Sequence, residues 1–244
     1  MARIASHGIA VIRCVSRRGV NEERFRDVAA FASTLAEEDR LLVTDVRDVA
    51  FQRPISEVLD ETLKQSQIAC ASEGVDYCNS TWNMENLKSN FPDRINEISD
   101  FEIYCAGVIA GKGGVLSEFC RKIWETSIHA NSFNGDQIAM NVVLRTEPFT
   151  KCTNFLDVNN TSICHYGSLA HHNTDLSVRV KNGTCVASDG NPVGIVHQYT
   201  RDRSTRHSVL RKHKVLLTFY TGKLGEAVGK RLGYVPGWTP YWKL

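Results

Sequence analysis

Apolar positions along this chain fall into short blocks of two kinds. Continuous apolar runs bounded by polar residues occur at Gly8–Val15, at Leu41-Leu42-Val43 and across Ile103–Gly111. Runs of that length without a 3.6-residue period predict buried strands. Between the first two runs, Phe25, Val28, Ala29, Phe31, Ala32 and Leu35 recur at helical spacing. Residues 22–36 are therefore expected to form an amphipathic helix, with Asn21 as N-cap and Glu22 and Glu23 in the first turn, where the helix dipole favours carboxylates. Strand, helix and strand make a βαβ unit, which predicts a parallel pair with a right-handed crossover.

Further along, Ile55, Val58, Leu59, Leu63 and Ile68 suit a helix over 55–73. Residues 74–100 are polar and turn-rich, and predict a short strand at Val75–Tyr77 followed by irregular chain with one helical turn. Leu116, Phe119, Cys120, Ile123 and Trp124 form one stripe of a helix over Val115–Ser127. Short strands are expected at 155–158, 162–166 and 177–180, and at Gly194-Ile195-Val196. Val215–Tyr220 is apolar, Leu224–Leu232 reads as helical, and Gly233–Trp242 is an aromatic tail. Packing of that tail against the domain edge is favoured over stacking of Trp238, Tyr241 or Trp242 on a ligand.

The chain has 244 residues, enough for one large domain with a substantial core. A net charge of +2 argues against nucleic acid or an acidic membrane surface as the main partner. Basic residues cluster only at Arg201–His207 and Arg211–Lys214, a solvated face or a phosphate-holding one. No stretch approaches the roughly 20 apolar residues of a membrane span, and the N-terminus lacks the apolar core of a signal peptide, so a soluble chain is expected. Eight cysteines without Cys-x-x-Cys spacing, together with sequons at Asn79, Asn159, Asn160 and Asn182, lean towards a secretory (Golgi) lumen with some disulfides rather than the cytoplasm.

Candidate chemistry gathers at strand ends. Leu41-Leu42-Val43 runs into Thr44-Asp45-Val46-Arg47-Asp48, two carboxylates three residues apart with a guanidinium between them. Ligands of open α/β sheets sit beyond the C-terminal strand ends, and such carboxylates can share a divalent cation. A charged turn neutralised by Arg47 is the plainer explanation. Gly194-Ile195-Val196 likewise ends in His197, which on its own is a strand-end imidazole bonded to the backbone. Asp136 falls in a first helical turn, where the dipole is sufficient reason for it.

Four segments together resemble GT-A-fold nucleotide-sugar glycosyltransferases, in the branch carrying an Asp-x-x-Asp variant of the Asp-x-Asp motif. They are Thr44-Asp45-Val46-Arg47-Asp48-Val49-Ala50-Phe51-Gln52, Ile103–Gly111, Asn134-Gly135-Asp136-Gln137 with Asn141, and Val196-His197-Gln198-Tyr199. The resemblance spans residues 8–201 and departs from the family at Thr200-Arg201, where an Asp-Arg is commoner. It implies a mostly parallel central sheet flanked by helices in a single GT-A-like catalytic domain, with 201–244 as a basic and aromatic extension. It also implies sugar transfer from a UDP- or GDP-sugar donor to a glycan or glycoconjugate hydroxyl.

By the same resemblance, Asp45, Asp48 and His197 would hold Mn²⁺ or Mg²⁺. Asp136 would be catalytic, and Arg24, Arg47, Gly107, Gln137 and Gln198 would bind the donor, Gly107 by letting the sugar approach the backbone. His165 is a reserve ligand. In the family a base-holding strand comes first, so Gly8–Val15 is either that strand or its counterpart lies outside this chain. A non-catalytic carbohydrate-binding protein and a sugar-nucleotide pyrophosphorylase stay open as rivals.

Overall fold

The computed structural model describes residues 10, 12, 14–16, 19–130, 135–172 and 178–212. Most of Gly8–Val15, Asn134, and everything after Lys212, including the 215–220 run, the 224–232 helix and the aromatic tail, lie outside the described residues.

The first described helix is α1 (Val20–Ala32), which starts two residues before and ends four residues before the expected 22–36, and is preceded by Gly19 rather than capped by Asn21. Strand β1 (Arg40–Thr44) follows, then β2 (Val49–Phe51) and helix α2 (Ile55–Thr62). Strand β3 (Ile68–Asp76) takes the end, from Ile68 on, of the segment read as helix. Its apolar start is buried on both faces, so it carries neither the alternation of a half-exposed strand nor enough length to exclude a helix. Helix α3 (Thr81–Asn90) and the short α4 (Ile95–Ile98) occupy the stretch read as irregular. Strand β4 (Glu102–Lys112), α5 (Gly113–Ser127), α6 (Gly135–Leu144), α7 (Phe149–Cys152) and β5 (Thr153–Leu156) complete the first half of the architecture. The rest comprises β6 (Ile163–His165), α8 (Tyr166–His172), the hairpin β7 (Val178–Lys181) and β8 (Thr184–Ala187), β9 (Ile195–His197) and α9 (Arg203–Lys212), which absorbs the first basic cluster.

The architecture is mixed α/β, a central sheet flanked by helices. That sheet has the order β1-β4-β3-β5. Among the described strands it is mixed and only partly parallel: β1 and β3 both run antiparallel to β4, and β3 and β5 are parallel. A second sheet, β2-β9-β6, pairs β2 antiparallel and β6 parallel to β9.

Helices α1, α5 and α6 cover one face of the central sheet through Phe25, Leu116, Phe119, Ile123, Met140 and Leu144. The second sheet packs on the other face, where Ile163 and Ile195 meet Ala71 and Val108. Residues 45–48 carry the chain from one sheet to the other. Along β4, Tyr104, Ala106 and Ile109 belong to the helix-side core while Val108 belongs to the opposite side, so the two-residue alternation slips at Gly107–Val108. The pairing with β3 shifts register over the same stretch. Bulges of this kind re-aim side chains beside sites.

All eight cysteines are free thiols. None of the expected disulfides is present, and five of the eight cysteines are buried. The sequon residues Asn79, Asn159 and Asn182 are exposed. No described helix is long and apolar enough to cross a membrane.

Candidate functional site

The seam between the two sheets gathers polar groups from three layers. Asp45 follows the last residue of β1, and its backbone N–H donates to Gly107 O at 2.8 Å. Asp48 precedes β2, and its carbonyl accepts the Gln198 N–H at 2.9 Å. His197 ends β9, paired with Val49 of β2. These short backbone ties fix two carboxylates and an imidazole from opposite sheets at one spot: His197 Nε2 lies 3.3 Å from Asp45 Oδ2 and 3.6 Å from Asp48 Oδ1. One ligand atom from each residue falls within 4.8 Å of the others. Asp45 is partly open to solvent while His197 is buried, as for a mouth with its floor behind it.

Arg24, on α1, closes the opposite side. Its Nη1 bonds Asp45 Oδ1, and its Nη2 donates at 3.0 Å to both Asp136 Oδ2 and Ala106 O. The two oxygens of Asp45 are thereby divided between a guanidinium and an imidazole. Burial alone would raise Asp45, but the His197 hydrogen bond and the Arg24 charge outweigh it and hold its carboxyl below the ordinary aspartate range.

The bulge in β4 explains the motif on α6. Without a regular ladder there, the backbone groups of Tyr104 and Ala106 need other partners. Asn141 takes both from Tyr104, accepting its N–H at 2.9 Å and donating to its C=O at 2.8 Å. Gln137 Oε1 accepts the Ala106 N–H at 3.3 Å, and Gln137 Nε2 reaches Asn83 Oδ1 at 3.4 Å. Asp136, one residue earlier, is then aimed at Arg24.

Two expected donor contacts, Gly107 and Gln198, face protein groups, while Arg47 is open to solvent. A Cβ on Gly107 would lie 2.1 Å from His197 Cε1, so this glycine makes room for the histidine ring. Gln198 is buried at a left-handed φ of 61°, with Oε1 accepting from Ser168 Oγ and Nε2 pointing at Cys105 Sγ, so its side chain faces the interior. Arg47 is exposed on the connection between the sheets.

Behind His197 lies a group that sequence reading found only in part. His165 is the parallel register partner of His197, and its Nδ1 stands 2.9 Å from His197 Nδ1. Cys105 Sγ is 3.7 Å from that same Nδ1. Burial, then the charges of His197 and Arg201, push His165 well below the usual imidazole range, so it is neutral. Burial, then neighbouring Glu73, push the Cys105 thiol well above its usual range. The repeated triplets Ile163-Cys164-His165 and Ile195-Val196-His197 were the signal available for this pairing.

No family model matches the chain, and no curated protein matches it. Among solved structures it is similar to that of the galactosyltransferase LgtC in complex with donor and acceptor sugar analogs, at 14% identity. The overlap covers 98% of this chain and 75% of that one, with a TM-score of 0.40. A likeness that loose carries no functional weight, and the reading below stands on the side chains.

Proposed function

We propose that this chain is a metal-dependent glycosyltransferase, a single GT-A-like catalytic domain that moves a sugar from a nucleoside-diphosphate sugar to a hydroxyl acceptor. The observation that carries this reading is the meeting of Asp45, Asp48 and His197, about 150 residues apart in sequence, within 4.8 Å at one seam. The motif resemblance calls for that meeting, while a non-catalytic sugar-binding protein has no need of it.

Two carboxylates and one imidazole suit Mn²⁺ better than Mg²⁺ or Ca²⁺, which favour all-oxygen shells. Bound there, the cation would supply neutralisation of the diphosphate's negative charge as the nucleotide departs. Arg24 holds Asp45 and Asp136 in fixed relation, so that cation side and sugar side share one rigid brace. Asp136 orients a sugar or acceptor hydroxyl, or takes its proton onto a carboxylate oxygen if the reaction inverts configuration. Arg47, exposed next to the carboxylates, meets the diphosphate. Gln137 keeps the β4 backbone in place beneath the sugar.

The test is release of nucleoside diphosphate from a panel of UDP- and GDP-sugars, with Mn²⁺ and with chelator, for the wild type and Asp48→Asn. Metal-dependent release from one donor, lost in the variant, is the expected result. No turnover on any donor, together with no heat of binding for UDP or GDP with Mn²⁺, would refute the assignment.

A further inference from the structure

Cys105, His165 and His197 are all buried, and a ligand atom from each lies within 4.8 Å of the others. Nothing apolar brings a thiol and two imidazoles to one point. Topology does: His165 and His197 are parallel register partners at matching strand ends, and Cys105 precedes the β4 bulge that faces them. We propose that this cluster is a second metal site, specific for a soft divalent cation such as Zn²⁺, sharing His197 with the carboxylate mouth.

Thiolate and imidazole are the ligands that zinc selects over Mg²⁺ or Mn²⁺. In a tetrahedral site with Zn–N of about 2.0–2.1 Å and Zn–S of about 2.3 Å, neighbouring nitrogens lie about 3.3 Å apart and nitrogen and sulfur about 3.6 Å apart. The observed separations to His197 Nδ1 are 2.9 Å from His165 Nδ1 and 3.7 Å from Cys105 Sγ. Opening the imidazole pair by a few tenths of an ångström would admit the ion. Binding releases the thiol proton, leaving Cys105 as thiolate. His197 then carries its remaining proton on Nε2, donated to Asp45 Oδ2 at 3.3 Å. A ligating histidine whose other nitrogen donates to a carboxylate is the usual outer-shell support of a zinc site.

A neutral imidazole has one lone pair. With the proton on Nδ1, donated to His165, Nε2 is free for a cation at Asp45 and Asp48. With the proton on Nε2, Nδ1 is free for zinc. The two sites therefore oppose each other, and the antagonism is reciprocal. This second part rests on the reading of Asp45, Asp48 and His197 as the Mn²⁺ site, whereas the zinc site itself does not.

Co²⁺ reports on it directly, because cobalt bound to thiolate has an intense near-ultraviolet charge-transfer band that a carboxylate–imidazole site lacks. One equivalent of Co²⁺ added to the metal-free full chain should give that band. The band should persist in Asp48→Asn, vanish in Cys105→Ser, and be bleached by one equivalent of Zn²⁺. Zinc K-edge absorption of the wild-type protein loaded with one Zn²⁺ needs no variant, and should show one sulfur at about 2.3 Å. An oxygen–nitrogen shell alone, or no cobalt–thiolate band, would overturn the proposal. Mn²⁺ titration followed by its electron paramagnetic resonance signal separates the two readings. If the cobalt band forms but Mn²⁺ does not bind, the transferase site fails and the zinc site stands. If Mn²⁺ binds equally well with zinc loaded, the antagonism fails.

Discussion

Gly107→Ala tests the seam with a single methyl group. The added Cβ would sit 2.1 Å from His197 Cε1 and 2.7 Å from Nε2, against ordinary carbon contacts of about 3.5–4.0 Å. One of the two must move by roughly 1.5 Å. The β4 backbone is the stiffer partner: its Gly107 carbonyl accepts the Asp45 N–H, and Ala106 beside it is held by Arg24 and Gln137. The imidazole therefore yields, and with it the 3.3 Å and 3.6 Å separations from Asp45 and Asp48. Metal shells tolerate about 0.2 Å, so Mn²⁺ affinity should fall by at least the 10–100-fold that roughly follows loss of a supporting group. Overpacking of a filled core costs about 1–3 kcal/mol, a drop of roughly 2–12 °C in Tm for a chain of this size. The assay pairs Mn²⁺ titration by calorimetry with a circular-dichroism melt. A folded variant that binds Mn²⁺ as well as the wild type would show that His197 is not a ligand.

Other perturbations reach the same seam from its remaining sides. Arg24→Leu removes the brace between Asp45 and Asp136, and kcat should fall about a hundredfold; Arg24→Lys should not restore it, since one ammonium cannot reproduce the planar fork. An unchanged kcat in both would remove Arg24 from the site. Asn141→Leu leaves the Tyr104 N–H and C=O buried without partners, at about 1–3 kcal/mol each, and urea melts should show it. Saturating Mn²⁺ at a hundred times its Kd should stabilise the wild type by about 2.7 kcal/mol and Asp48→Asn far less, read as Tm shifts with and without chelator.

Acid stability divides between two groups. His165 has a folded-state pKa well below its unfolded value, so its neutral burial stabilises fully above about pH 6.5 and less as pH falls below that. Asp45 is also depressed, so its contribution is complete above about pH 3.9 and is lost as pH falls through its lower folded value. Tm should therefore begin to fall near pH 6 in the wild type, and this early fall should be absent in His165→Asn. An identical profile in the two proteins would contradict the buried neutral imidazole.

Strand ends were legible from sequence because an apolar run stopping at Asp45, or at His197, is a one-dimensional signal. Which sheet each strand joins is not. Nothing in Leu41–Val43 marks it as antiparallel to Ile109–Gly111, and Ile68–Ala71 is as apolar in a helix as in the doubly buried strand it forms. The direction of Gln198 was not legible, because its left-handed backbone and its inward hydrogen bonds to Ser168 and Cys105 have no signature in the sequence. Asn182-Gly183 was read as a sequon. Its φ values of 50° and 75° are those of the two-residue turn that the same dipeptide favours, joining β7 to β8. Gly107, singled out for the approach of a sugar, has the His197 ring against it.

The carboxylates and the imidazole belong to different sheets, Asp45 trailing the central one and Asp48 and His197 anchored in the other. An ion gripped by all three would act as a clasp across the two halves of the molecule. It would couple their breathing, so that amide hydrogens of β4 and of β9 gain protection together when the cation is present and exchange independently when it is withdrawn. The same clasp makes the fit of the ion a gauge of how the sheets lie: a sub-ångström slide of one over the other, from any cause, would be felt first as a change in cation affinity.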